Sequence, residues 1–166
     1  MEPVFNPISK YSSGVIFELL NQSYAGLLKE RSGYWLAERE KWRQLEKEAF
    51  ENPETVGRCF FITSCGGETI GMFSYDPRQR PEYGIIGQNC ILPTFRGRGF
   101  GTKQILRVIE IFRKERFLKA KATTSEHPFF IPAQKMYRGL GFKEIAKREG
   151  GPDPRYGLID LEMILL

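Results

Sequence analysis

The sequence predicts a mixed α/β (α+β) domain. It would have a central, mostly antiparallel sheet of about six to seven strands, one parallel strand–helix–strand crossover and about four flanking helices. Three observations predict it. The first third carries apolar residues at helical spacing; the middle switches to aromatic and β-branched runs joined by a two-glycine turn; the second half alternates strand-like and helix-like segments. With 166 residues, the chain has the length of one domain and buries a core without staples, so residues 1–166 read as a single domain.

Each element follows from local chemistry. Ser12 or Ser13 is placed to cap a helix carrying Val15, Ile16, Leu19, Leu20 and Tyr24. After the Ser32-Gly33 break, Trp35, Trp42, Leu45 and Ala49 mark an amphipathic helix that Asn52-Pro53 ends. Its tryptophan stripe reads as core. Arg58–Ser64 and Thr69–Tyr75 form a hairpin turned by Gly66-Gly67. Asp76–Pro81 is a polar loop, and Tyr83–Leu92 is a third strand whose glycines point to a bulge or a close backbone approach. Gly101–Phe117, with Ile105, Ile109 and Phe112 on one face, is a helix; Lys119–Ser125 is a short strand. Pro132–Leu140 is a short helix stopped by Gly141. Phe142–Lys147 and Tyr156–Leu166 are the last two strands, joined through Gly150–Pro154.

Composition excludes several classes. The chain is 41% hydrophobic and 27% charged, the mix of a soluble globular domain rather than of a disordered tail, coiled coil, collagen or disulfide scaffold. Its apolar runs are a handful of residues, against roughly 18 to 20 for a membrane span. Cys59, Cys65 and Cys90 fit no ligand spacing, and His127 is the lone histidine. They read as reduced thiols of a cytoplasmic protein, with no metal. The first residues lack a basic region followed by an apolar stretch, so no secretory signal is expected. The formal charge of +5 suggests anionic partners without naming them.

The informative stretch is Ile91-Leu92-Pro93-Thr94-Phe95-Arg96-Gly97-Arg98-Gly99-Phe100-Gly101-Thr102, three alternate glycines between a buried strand and an amphipathic helix. A helix start offers unpaired N–H donors and partial positive charge. Glycines let backbone close around phosphate oxygens, and Arg96, Arg98 and Lys103 add charged donors. On physics alone the segment is either an anion cradle or an ordinary turn. Neither a P-loop nor a dinucleotide fingerprint fits, because position 102 is Thr where both need Gly.

The pattern Arg96-x-x-Gly99-x-Gly101 resembles the Arg/Gln-x-x-Gly-x-Gly/Ala signature of the GNAT superfamily of acyl-CoA-dependent N-acetyltransferases. Ile91-Leu92-Pro93 before it, the helix after it, the strand Lys119–Ser125 and Ala133-x-x-x-Tyr137-x-x-x-Gly141-Phe142 follow in the expected order. The resemblance covers roughly residues 58–166. It implies a GNAT-like fold, with 58–166 as the acyl-CoA-binding core and the helical residues 1–57 shaping the acceptor site. Backbone groups of Ile91 and Leu92 would pair with the pantetheine arm. The N–H groups of Arg96, Gly97, Arg98, Gly99, Phe100, Gly101 and Thr102 would hold the pyrophosphate of acetyl-CoA, the co-substrate.

The implied chemistry is direct attack of a primary amine on the acetyl thioester, without a cysteine nucleophile. A lysine-like amine with a pKa of about 10.4 is neutral in only roughly one molecule in 2,500 at pH 7, a deficit of about 4.6 kcal/mol. A base must therefore take its proton, and a backbone N–H of the strand before the turn would serve the oxyanion. Tyr137 occupies the family's general-acid position for the leaving thiolate. Two departures stand out. Phe130 replaces an asparagine frequent in the family, and Ile85 stands where some members carry a catalytic glutamate. Glu82, Glu126 and His127 remain open as the base.

Two other functions carry some weight. A non-catalytic acyl-CoA sensor on the same fold would explain both departures, and a nucleic-acid module rests on the basic pI alone, with no supporting motif. The acceptor is expected to be a small-molecule or peptide amine, with no nucleic-acid or membrane partner and a monomeric or homodimeric chain. Residues 96–121 hold nine basic residues against Glu110 and Glu115. The surplus is thus expected at the turn, helix and strand that would receive the CoA phosphates.

Overall fold

The computed structural model describes residues 1–166. Twelve main elements follow in chain order: β1 (Val4–Pro7), α1 (Val15–Ser23), α2 (Ala25–Leu28), α3 (Glu38–Glu51), β2 (Phe60–Cys65), β3 (Glu68–Asp76), β4 (Tyr83–Ile91), α4 (Phe100–Lys114), β5 (Lys119–Ser125), α5 (Ile131–Gly139), β6 (Lys143–Arg148) and β7 (Leu158–Ile164). The strands form one seven-stranded sheet in the order β1-β2-β3-β4-β5-β7-β6. β1–β2, β2–β3, β5–β7 and β7–β6 pair antiparallel, and β4–β5 is parallel. The chain divides into two compact units, residues 1–74 with 88–104 and residues 75–87 with 105–166.

The first unit holds β1, the three N-terminal helices and the hairpin. Gly66 and Gly67, at φ 59° and 83°, supply the doubly left-handed turn that matches strand twist. Trp42, Ile16, Leu20 and Leu27 are fully buried, so the tryptophan stripe is core; Trp42 stacks on Tyr24 with ring centroids 5.4 Å apart. Trp35 is buried too, but precedes α3 instead of opening it. A strand at Val4–Pro7 departs from the helical reading of the first third. It forms because the outer edge of β2 offers partners, in the register Val4↔Ser64 to Pro7↔Phe61.

Neither Ser12 nor Ser13 caps α1. Its N-cap is Gly14, which has no side chain to offer. The cap comes instead from Glu46 of α3, whose Oε2 accepts the N–H groups of Ile16 at 2.6 Å and Phe17 at 3.0 Å. Glu46 is buried despite its charge. A carboxylate suits this position, since a helix start carries unpaired donors and partial positive charge. Glu46→Ala strands both donors and is expected to cost about 2–3 kcal/mol. Glu46→Gln keeps an acceptor oxygen and costs less. Chemical denaturation of the two variants checks the order.

In the second unit the glycine reading of the third strand is met at Gly84. A Cβ there would lie 2.5 Å from the Phe112 ring, so glycine lets α4 sit close on β4. Phe112 also packs edge-on against Tyr75 and tilts against Phe117. Helix α4 ends at Lys114, before Phe117, because Arg116 takes the left-handed conformation (φ 63°) and the Phe117 N–H turns back to the Phe112 carbonyl.

Candidate functional site

The turn after β4 is held at both ends by packing. Ile91 at the end of β4 and Phe100 at the start of α4 are buried together with Ile70 of β3, and Phe95 and Cys65 pack against them. Between these anchors, Pro93–Phe95 makes one tight turn, and the chain then passes through Gly97 (φ 76°) and Gly99 (φ 83°). Both glycines are in the left-handed region that other L-residues avoid. A Cβ at either would meet nothing within 4 Å. Backbone conformation, not crowding by the chain, requires glycine here.

The hydrogen-bond accounting separates two groups within the turn. Phe95 N–H donates to Leu92 O, Arg96 N–H to Pro93 O and Lys103 N–H to Gly99 O. The N–H groups of Gly97, Arg98, Gly99, Phe100, Gly101 and Thr102 meet no backbone acceptor. Those six donors lie on a glycine-rich bend that runs into the first turn of a 15-residue helix. Buried donors without acceptors are rare, whereas exposed ones at a helix start are the ordinary makings of an anion site. A ligand that presents anionic oxygens is the chemistry such donors suit.

The charged side chains of the motif behave otherwise than the sequence suggests. Arg96 turns its guanidinium onto the protein: Nε donates to Ile91 O at 3.1 Å and Nη2 donates to Ser23 O. Arg98 Nη2 donates to Thr94 O at 3.2 Å, and its guanidinium lies 5.3 Å from the Phe95 ring centroid. Lys103 pairs with Glu2 at 2.8 Å. The six backbone donors, not these side chains, are the groups of the turn left without an acceptor in the chain. The basic surplus is spread along the helix as well as the turn. Arg113 and Lys114 occupy the last turn of α4, roughly 20 Å along the axis at about 1.5 Å per residue.

Strand β4 shows which of its groups face outward. Leu92 N–H donates to Ile70 O of β3 at 2.8 Å, and Leu92 O accepts from Phe95. Strand alternation therefore turns the Ile91 N–H to the opposite edge. The parallel ladder on that side runs only from Tyr83↔Lys119 to Ile85↔Lys121, although β4 continues to Ile91 and β5 to Ser125. Close behind, Gly71 of β3 lets the two backbones meet: a Cβ there would lie 2.2 Å from Cys90 O. The buried amide of Gln104 spans the same point, with Nε2 donating to Thr63 Oγ1 at 2.8 Å and to Cys90 O at 3.4 Å.

Cys90 is buried, and burial pushes its thiol up to about 11, while a backbone hydrogen bond at Met72 and the Arg96 charge pull the other way. The thiol keeps its proton at neutral pH and is no nucleophile.

In the second unit, Tyr137 is buried in α5 near the helix end. Its ring packs edge-on against Phe142 at 5.3 Å, and its carbonyl accepts the Phe142 N–H. His127 accepts the Phe129 N–H at Nδ1 and packs on Tyr156 at 4.7 Å. With Nδ1 accepting from the backbone, that nitrogen is engaged within the chain, which argues against its serving as the base. Glu126 pairs with Lys147 at 3.4 Å, Glu82 is exposed, and Ile85 is the last residue of β4 in the β5 ladder.

Residues 16–142 match the model of the acetyltransferase (GNAT) family. No curated protein matches the sequence. Among solved structures, a protein of Desulfovibrio desulfuricans assigned to the GNAT family of acetyltransferases superposes with a TM-score of 0.76 at 13% identity, covering 99% of this chain and 100% of that one. Ard1 of Thermoplasma volcanium gives 0.71 at 14% identity, over 100% and 99%. A chain of the NatC complex, a structure bound to Gag peptide and CoA, gives 0.70 at 18% identity and full coverage of both. No helix is long and apolar enough to cross a membrane.

Proposed function

This chain belongs to the GNAT family of acetyltransferases, and on that premise we propose that it transfers an acetyl group from acetyl-CoA to a primary amine by direct attack. The observation that carries the reading is the run of six N–H groups, Gly97 to Thr102, without backbone acceptors at the start of α4. These groups hold the pyrophosphate, with Gly97 and Gly99 giving the backbone its shape. The pantetheine arm lies along the outer edge of β4 near Ile91, where the Ile91 N–H is also placed to donate to the oxyanion. Leu92 keeps that edge in place through its bond to Ile70. The chain acts as one acetyltransferase domain, its acceptor a small-molecule or peptide amine. NatC, crystallised with a peptide, makes the peptide arm of an amine screen the first to run.

Tyr137 is the general acid that returns a proton to the departing thiolate. Tyr137→Phe keeps the ring that packs on Phe142, so binding of acetyl-CoA is expected to hold while turnover falls about 100-fold, the usual scale of general-acid catalysis. Calorimetry with acetyl-CoA and CoA release across polyamines, aminoglycosides, amino acids and peptides test the reading together. Well-folded protein that binds no acetyl-CoA would sink it.

A second reading has its own observations: apolar Ile85 on β4, and Phe130 packed on Phe129 at 5.1 Å where the family often has asparagine. Binding without turnover on any amine would favour a non-catalytic acyl-CoA sensor.

A further inference from the structure

We propose that Arg96 is a positioning residue: its guanidinium brackets the carbonyls of Ile91 and Ser23, and so sets the end of β4 and the α1–α2 junction in one fixed relation. The proposal deepens the acetyl-transfer reading and rests on it for its catalytic consequence.

Three observations converge on this corner of the first unit. The peptide joining Ile91 to Leu92 is pinned from both sides, its oxygen by Arg96 Nε at 3.1 Å and its N–H by Ile70 O at 2.8 Å. A peptide plane held at both polar atoms fixes the direction of its neighbour, which carries the Ile91 N–H. Ser23, the last residue of α1, presents one of the four carbonyls that a helix leaves unsatisfied at its negative end. Arg96 Nη2 donates to it. Beside this bracket, Tyr24 Oη donates to Asn89 O of β4 at 3.1 Å. Two side chains thus tie the α1–α2 junction to β4, Tyr24 from the junction and Arg96 from the turn after β4.

The geometry needs a planar fork. Nε and Nη2 belong to one rigid guanidinium and reach two carbonyls from different elements. A lysine is a single flexible point charge and holds one at a time. This separates the proposal from a plain phosphate-binding role, in which charge matters most and lysine serves well. Arg96 stays partly open to solvent, so the effect of losing the bracket is local rather than a loss of the fold.

The test uses the full chain and the variants Arg96→Lys and Arg96→Gln. Hydrogen exchange is followed at the amides of Tyr24, Leu27 and Leu28, and acetyl-CoA is titrated calorimetrically. Both variants are expected to exchange the junction amides about tenfold faster, with acetyl-CoA affinity changed less than about threefold. Turnover on any amine found active should fall in both, with the KM for acetyl-CoA unchanged. Junction exchange that stays at the wild-type rate overturns the bracket. So does an affinity lost in Arg96→Gln and restored in Arg96→Lys, which would make the side chain a phosphate ligand. If the wild-type chain itself binds no acetyl-CoA, the transferase reading fails; the exchange comparison between the unliganded proteins still decides the bracket.

Discussion

Gly99→Glu is expected to abolish acetyl-CoA binding while leaving the protein folded. Two effects add. Gly99 sits at φ 83°, where a side chain costs about 1 kcal/mol or more in backbone strain. The new carboxylate also projects among the six donors proposed to receive the pyrophosphate. Two like charges about 4 Å apart repel by about 4 kcal/mol at an effective dielectric near 20. Together these weaken binding by at least about 100-fold. Because a Cβ at Gly99 meets nothing within 4 Å, the chain has no clash to relieve, and the melting temperature should fall only by the few degrees that the backbone strain costs. Gly99→Ala separates the two effects: it bears the backbone strain alone and should weaken binding by only about tenfold. Calorimetric titration of both variants measures the difference. Wild-type affinity in Gly99→Glu would remove the turn from the cofactor site.

Gly71→Ala has the opposite signature, a large loss of stability from one methyl group. Its Cβ would lie 2.2 Å from Cys90 O, 2.8 Å from Ile91 Cδ1 and 3.1 Å from Gln104 Nε2. The nearest of these is backbone, in the strand that also presents Ile91, and it cannot swing aside as a side-chain end does. β4 must move away from β3, which weakens the Gln104 bond to Cys90 O and the Leu92 bond to Ile70 O. Overpacking of this kind costs about 3 kcal/mol or more. Urea denaturation should show a lowered midpoint at an unchanged slope. Gly139 in α5 serves as the control, since a Cβ there meets nothing within 4 Å. Gly139→Ala should be neutral or stabilise by up to about 1 kcal/mol.

Much of the fold was legible because its signals are local. The hairpin was readable from two glycines between aromatic, β-branched runs, and the observed strands Phe60–Cys65 and Glu68–Asp76 begin and end within two residues of the expected ones. Helix α4 announced itself by the spacing of Ile105, Ile109 and Phe112, all buried. The glycine bend was equally visible, since left-handed backbone leaves a mark in residue type. What was not legible depends on residues far apart in the chain. Val4–Pro7 contains a proline and no alternation, and is a strand because β2 lies beside it.

The same division runs through the candidate site. By itself the sequence determined the order of elements from α3 onward, the family, the glycine bend and the place of Tyr137 near the end of α5. Each is written in spacing or in backbone preference, which act over a few residues. Only the tertiary structure decided which polar groups are already satisfied. It took the cap of α1 from Glu46, turned the Arg96 guanidinium onto Ile91 and Ser23, and engaged the Leu92 N–H on β3. The physical reason is that a donor or acceptor takes whatever partner packing brings within about 3 Å, and that partner can lie anywhere in the chain.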